Sequence, residues 1–474
     1  MMQAQPYPEM ALADSTSSAR NLGIGLASAL SLSIAAALWF SNKPQLLRVA
    51  IPAMAALVGW LLYTSRPITY ISYSLWVWFL APFVRRIVDW HFGFFEPNFV
   101  LLAPLLVSGI SLFTLLPSAR RSSERIPVSF VLCGVAVFYG FVIGLLLHAS
   151  PASVFGLLNW LCPMLFGLHL YLNWPQYGRF QAAITRTFVL ALLILGLYAI
   201  FQFFAPPIWD RTWLENVKAT SFGLPEPLQV RVWSTMNSPG PFANAMMAGL
   251  LLLLVVPARL KLPSAIAGYL SLLLSAVRTA WLSWIVGFIL ILKSVNPRIL
   301  VRLVLSTLLL LVCLVPLASD PRISTVIGER FNTFTDLRHD ESFGARLELY
   351  QMLIHDALTT PFGRGLEAAR DLPIDSGILT LIFSLGWLGT ALFTVGILSL
   401  FFWGGRFVNN TDDFYKAAKV IMIATFAQII SGEVFVNVTG AIFWMFAGMS
   451  LAAVRYHAAQ PLVPAEQSLP GAIA

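Results

Sequence analysis

The chain has 474 residues, 58% of them hydrophobic and 11% charged, with a mean hydropathy of +0.77. So much apolar surface cannot be hidden inside a soluble core of this size, which excludes a soluble globular protein and points to a polytopic helical membrane protein. Its apolar runs are continuous rather than alternating, which excludes a membrane-spanning strand barrel. The net charge of +8 is then read by position, as cytoplasmic anchoring arginines, a site for anionic ligands, or both.

Residues 1–21 are polar, carry Glu9 and Asp14, and lack the basic start and small-residue cleavage site of a removable leader. They are expected as a cytoplasmic tail ahead of an uncleaved anchor. With about 20 residues per span as the ruler, apolar helices are expected near 22–40, 49–63, 68–84, 98–116, 127–147, 152–171 and 184–204. Others follow near 241–257, 262–276, 279–293, 299–318, 377–403, 417–432 and 438–454. The expected fold is an all-α integral membrane protein, a polytopic helical bundle of about 12–14 transmembrane helices with a large periplasmic loop. Its parts are transmembrane helices over 22–204, a loop at 205–240, central helices over 241–318, a polar loop at 319–376, C-terminal helices over 377–454 and a short tail at 455–474. Cys133, Cys162 and Cys313 fall inside apolar runs and read as buried small hydrophobes.

With the N-terminus in the cytoplasm, Arg66, the run Arg120, Arg121 and Arg125, Arg179, Arg259 with Lys261, and Lys293 with Arg298 and Arg302 fall inside. Arg406, Lys416, Lys419 and Arg455 do so as well, so the short connectors follow the positive-inside tendency and both termini are expected in the cytoplasm. The segments 85–97, 205–240 and 319–376 then lie outside. One stretch, 262–293, decides this parity. As one helix its 32 residues would span about 48 Å against a hydrocarbon core of about 30 Å. Split at Ser275–Arg278, it gives two short helices and delivers Arg278 to the outer face, although no Gly or Pro marks the break; if unsplit, every later loop changes sides.

Four segments combine charge or tight turns with a membrane boundary. Ser275–Trp284, SAVRTAWLSW, sets Arg278 among apolar residues. A charge there is costly unless paired or hydrated, which makes it a functional candidate, with a snorkelling helix-end arginine as the plainer reading. FGARLELYQML, Phe343–Leu353, reads as an amphipathic surface helix bearing Arg346, and PFGRGLE, Pro361–Glu367, as a tight turn. RVWSTMNSPGPFANAMM, Arg231–Met247, puts a Pro/Gly turn at a helix entrance, where free N–H groups can hold an anion or merely shape a loop. DSGILTLIFSLGWLG, Asp375–Gly389, opens a helix with a carboxylate that serves equally as a base or as a helix cap. Asp89, His91 and Glu96, in the first outside loop, offer a metal-assisted alternative.

In this order the four segments resemble the O-antigen ligase and O-antigen polymerase family of integral membrane proteins. That family carries a Ser-Arg-x-Ala-Trp-like motif, a large periplasmic loop with an arginine before a Pro-x-Gly-x-Gly turn, and a polar residue opening the next helix. Here the first motif stands as Ser275-Ala-Val-Arg278, and Asp375 occupies the place where ligases keep a histidine. By position, the resemblance implies that Arg278 and Arg346 contact a diphosphate, that Asp375 is the base, and that Arg231, Arg364, Gly363 and Gly365 bind substrate. It implies an inner-membrane glycosyltransferase that polymerises undecaprenyl-diphosphate-linked oligosaccharide repeat units into exopolysaccharide or O-antigen on the periplasmic side, without metal or other cofactor. A ligase moving lipid-linked glycan to another acceptor and a transporter or flippase of such glycans stay open. Beyond the lipid-linked glycan and membrane lipid, expected partners are chain-length regulator and export proteins; no nucleic acid is expected. Asp371 and His355 are the next candidates for the base.

Overall fold

The computed structural model describes residues 14–116, 126–148, 150–217, 220–294, 301, 353–355, 357, 359–367, 376–402 and 412–459. They form an all-α bundle with no strand among the described residues, only an isolated bridge between Gly223 and Val230. Seven of the helices are long and apolar enough to cross a membrane.

In chain order the helices are α1 (Asp14–Phe40), α2 (Pro44–Ser65), α3 (Pro67–Phe92), α4 (Leu102–Gly109), α5 (Val128–His148), α6 (Pro151–Leu172) and α7 (Tyr177–Phe204). There follow α8 (Ile208–Val217), α9 (Pro239–Val255), α10 (Lys261–Leu274), α11 (Arg278–Ser294), α12 (Gly377–Phe402), α13 (Asp413–Phe426) and α14 (Asn437–Ala459). Prolines sit in the first turn of α2, α3, α6 and α9, where their missing N–H leaves no helical bond unmade. Each expected span but 299–318 overlaps one of these helices, with ends that differ by up to about eight residues, and 98–116 is a short α-helix between two 3-10 turns; 299–318 lies outside the described residues apart from Val301. Most of the expected large loop also lies outside them. One short helix is new: α8, within the stretch expected as a loop, is amphipathic and packs against α3.

The stretch 262–293 is two helices. The chain turns at Ala276, which takes a left-handed conformation (φ 51°) that costs an L-residue about 1–2 kcal/mol. In place of glycine, Ser275 supplies local bonds: its Oγ donates to Leu272 O at 2.6 Å and accepts from Val277 N at 3.4 Å, while Ala276 N donates to Leu273 O at 3.0 Å. The division falls where the length of the stretch requires one.

At the centre stand α9, buried from Phe242 to Val255, and α14, buried from Val438 to Val454. Both are apolar all round, as befits helices surrounded by other helices. Lipid tails are as apolar as these side chains, so close packing must hold the bundle, and it is glycine that permits it. A Cβ on Gly448 of α14 would overlap the Gly167 carbonyl of α6, and one on Gly167 would overlap the Trp444 carbonyl. Similar crossings bring Gly196 of α7 onto Ala267 of α10, and Gly396 of α12 onto Cys133 of α5. Cys133 and Cys162 are buried free thiols. Gly448→Val should therefore drive the α6–α14 backbones apart, costing at least the roughly 1–3 kcal/mol of an overpacked core. The measurement is thermal unfolding of purified protein, with loss of several degrees or of monodisperse material expected.

Candidate functional site

One end of the bundle collects the ends of α3, α5 and α7, the starts of α6, α9, α11, α12 and α14, and the loops between them. Two buried charge networks brace it. In the first, both oxygens of Asp89 are taken: Oδ1 accepts from Arg48 at 3.0 Å and Oδ2 from Arg85 at 3.2 Å, while Asn98 donates to both. Arg85 also pairs with Glu96, and Arg48 donates to Gly93 O at 2.7 Å. In the second, fully buried Arg86 pairs with fully buried Asp210 at 2.9 Å. Asp210 Oδ2 accepts from Tyr198 at 2.9 Å and from Gln202 at 2.6 Å, and Gln202 in turn accepts from the Trp233 and Ser234 amides. Burial pushes the Asp210 carboxyl up, opposed by Arg86, Gln202 and Tyr198. This network fixes the Arg231–Pro241 turn onto α3, α7 and α8.

The metal alternative is corrected by this geometry. Asp89 and Glu96 are engaged by arginines, and the His91 ring stacks on Trp39 with centroids 4.4 Å apart. Among the described residues, no group of three or more potential metal ligands occurs anywhere.

The Pro361–Glu367 turn is built into a break in α12. Gly386 leaves the helix (φ 63°, ψ −172°). In an unbroken helix the Phe383 carbonyl would accept from Trp387 N and the Ser384 carbonyl from Leu388 N. Instead Arg364 N donates to Phe383 O at 2.8 Å, Gly365 N to Ser384 O at 3.2 Å, and Trp387 N to Pro361 O at 2.9 Å. The turn thus takes over bonds that the break gave up. Gly363 and Gly365 have positive φ, 79° and 95°, and their α-carbons lie against Gly386 and Gly144, where a Cβ would clash. Their N–H groups are already donated, Gly363 N to Thr360 O at 3.2 Å. These two glycines thus seat the turn against α12 and α5. Arg364 is half-buried, its guanidinium 5.6 Å from the Phe383 ring centre.

Arg231 is likewise engaged by the protein. It donates to the carbonyls of Ser221 at 2.8 Å, Ser275 at 3.3 Å and Ala276 at 3.1 Å, capping the turn between α10 and α11. Arg278 is half-buried in the first position of α11 just beyond that turn. The 3-10 turn Ala427–Ile430 packs against both α11 and α12, and Gly377 at the start of α12 touches Ile429 and Gly432. The residue before α12, Ser376, accepts from Leu379 N at 3.5 Å. Ser376 therefore stands in the capping position. Arg346, Asp371 and Asp375 lie outside the described residues, and His355 is exposed on a short helical piece.

The residue that sequence reading missed is Glu433. It is exposed in the turn between α13 and α14, beside the Thr380 hydroxyl of α12, and the surrounding protein raises its carboxyl pKa by desolvation, with Thr380 opposing. A signal for it exists: it is the only carboxylate between Asp413 and Glu466, and an acidic residue between two apolar helices requires a reason. Chemically, this end offers a fixed guanidinium at a helix start, an arginine seated in a re-entrant turn, and a proton-accepting group. No protein-family model matches the chain, and no curated protein matches it either.

Gly363→Ala adds a Cβ against the Gly386 amide at a φ that L-residues resist. It is expected to cost roughly 1–3 kcal/mol and to unseat the turn, read as a lowered unfolding temperature together with new protease sensitivity near Arg364. An unchanged temperature and cleavage pattern would mean that the turn does not hold the break in α12 together.

Proposed function

We propose that this membrane protein is a glycosyltransferase that polymerises undecaprenyl-diphosphate-linked oligosaccharide repeat units at the extracytoplasmic face of a bacterial inner membrane. One observation carries the reading: the chain folds its Ser-x-x-Arg helix break, its Pro-x-Gly-x-Gly turn and the mouth of α12 onto the same end of one apolar bundle.

The chemistry asks little more of that end. The acceptor hydroxyl oxygen attacks the anomeric carbon, the bond from that carbon to the diphosphate oxygen breaks, and the electron pair leaves on the diphosphate. Arginine stabilises that charge well, because its planar fork pairs with phosphate oxygens and stays protonated. Arg278 and Arg346 take this role. A carboxylate accepts the proton of the acceptor; Asp375 is assigned this step, with Glu433 as the second carboxylate at the mouth of α12. Arg231 holds the turn on which Arg278 stands, and Arg364 lies at the rim.

Arg278→Lys and Arg346→Lys each keep the charge but lose the fork, and each should abolish most turnover of purified lipid-linked donor at normal expression. Full activity in both would return these arginines to snorkelling or loop roles. In cells, loss of the protein should leave single lipid-linked repeat units; long lipid-linked chains would instead indicate a ligase.

The base is separated by variant and by pH. Asp375→Asn should cut turnover by roughly a hundredfold to ten-thousandfold, the usual contribution of a positioned base. A base must be ionised, so activity falls as pH drops through its pKa. For a carboxyl raised as that of Glu433 is, this acid limb would lie above the ordinary glutamate value of about 4.3. If Asp375→Asn is fully active while Glu433→Gln is inactive and wild type shows the raised limb, the proton goes to Glu433.

A further inference from the structure

The opposite end of the bundle carries positive charge of another kind. Arg179 and Arg186 on α7 and Arg259 in the turn between α9 and α10 are all exposed, and none has a hydrogen bond or ion pair to a described residue. They line two grooves on either side of the first half of α7. One, of about 570 Å³, has Arg179 and Arg186 above Ile68, Trp76 and Leu190. The other, of about 870 Å³, has Arg186 and Arg259 above Val189, Leu190 and Val256. Hydroxyls of Thr69 and Ser72 line the first, and the amide of Gln181 the second. Among the described residues, no acidic residue lines either groove.

The depth of Arg186 follows from helix length. The 28 residues of α7 make about 42 Å of helix, about 12 Å more than a hydrocarbon core. At its far end Phe201 and Phe204 are exposed and apolar, so the excess lies at the near end, with Gly178, Arg179 and Gln181. Arg186 comes nine positions after Tyr177, about 13 Å along the axis, which sets its guanidinium at the hydrocarbon boundary, where lipid phosphates lie. An arginine at that depth needs an anion.

We propose that these grooves are binding sites for anionic phospholipid, with Arg186 shared between them, Arg179 and Arg259 as the outer partners of the phosphodiesters, and the apolar floors taking acyl chain. A soluble phosphate would satisfy the arginines but leave the floors in contact with nothing of their own polarity. The inference does not depend on the reaction assigned above.

The full chain is purified, shown to be monodisperse, and equilibrated with vesicles of phosphatidylcholine containing phosphatidylglycerol; retained lipid is counted by native mass spectrometry. Each basic side chain near a membrane surface raises anionic-lipid affinity about fivefold. Wild type should therefore prefer phosphatidylglycerol by roughly 25-fold per groove, Arg186→Gln should lose about fivefold, and the triple variant Arg179→Gln/Arg186→Gln/Arg259→Gln should show no preference. Lys419→Gln, which removes one charge outside both grooves, should leave the preference unchanged. The proposal is overturned if the triple variant keeps the wild-type preference, as it would were the grooves closed by another segment of this chain. It is equally overturned if Lys419→Gln weakens binding as much as Arg186→Gln, or if millimolar inorganic phosphate displaces the retained lipid.

Discussion

A backbone carbonyl or amide at membrane depth must be bonded, because lipid offers it no partner and each orphan costs several kcal/mol. This single constraint explains why the two interrupted stretches of the chain are also its most organised. At Gly386, α12 is interrupted and a turn from some twenty residues upstream bonds the Phe383 and Ser384 carbonyls and the Trp387 amide. At Ala276, the helix pair α10–α11 turns sharply, and the guanidinium of Arg231 reaches across to bond the carbonyls of Ser275 and Ala276. Both breaks therefore bind distant sequence segments to one end of the bundle. A site built on such breaks is held by bonds that cannot be lost singly without exposing an orphan.

Much of the fold was legible because the bilayer imposes a length scale. The spans follow from runs of about 20 apolar residues, and the division of 262–293 follows from the same ruler, since one helix would overshoot the hydrocarbon. The local chemistry of that break was not legible. Ala276 adopts a left-handed conformation that sequence rules reserve for Gly or Asn, and what compensates it, Ser275 and Arg231, lies partly more than forty residues away. The α12 break was hidden for a related reason. Gly386 sits in the apolar run SLGWLG, which fits an unbroken span equally well, and only its partner in Pro361–Gly365 gives it meaning. Helix α8 was missed because it is short and carries too little apolar sequence to register as a span.

The charged residues were harder to read than the helices, since residue type states what a group can do and not whether it is already occupied. Asp89 has an aspartate's ability to bind a cation, and uses it on Arg48 and Arg85. Arg86 and Asp210 form a fully buried pair; removing one partner of such a pair typically costs about 3–5 kcal/mol, whereas the intact pair contributes little net stability. What the pair does supply is position, because the Asp210–Gln202 bridge holds the amides of Trp233 and Ser234 and hence the start of α9.

The same distinction sorts the arginines of the candidate end. Arg48, Arg85, Arg86 and Arg231 spend donors on Asp89, Glu96, Asp210 and backbone carbonyls, so their charge is largely consumed in building the scaffold. Arg231 is thereby a positioning residue. Its three carbonyl contacts fix the turn from which Arg278 projects, and a lysine there would supply one point charge where a planar fork now spans two stretches of backbone. In the reaction proposed above, a loss of turnover at Arg231 would accordingly travel through Arg278, by loosening the helix break, without requiring that Arg231 touch a substrate at all.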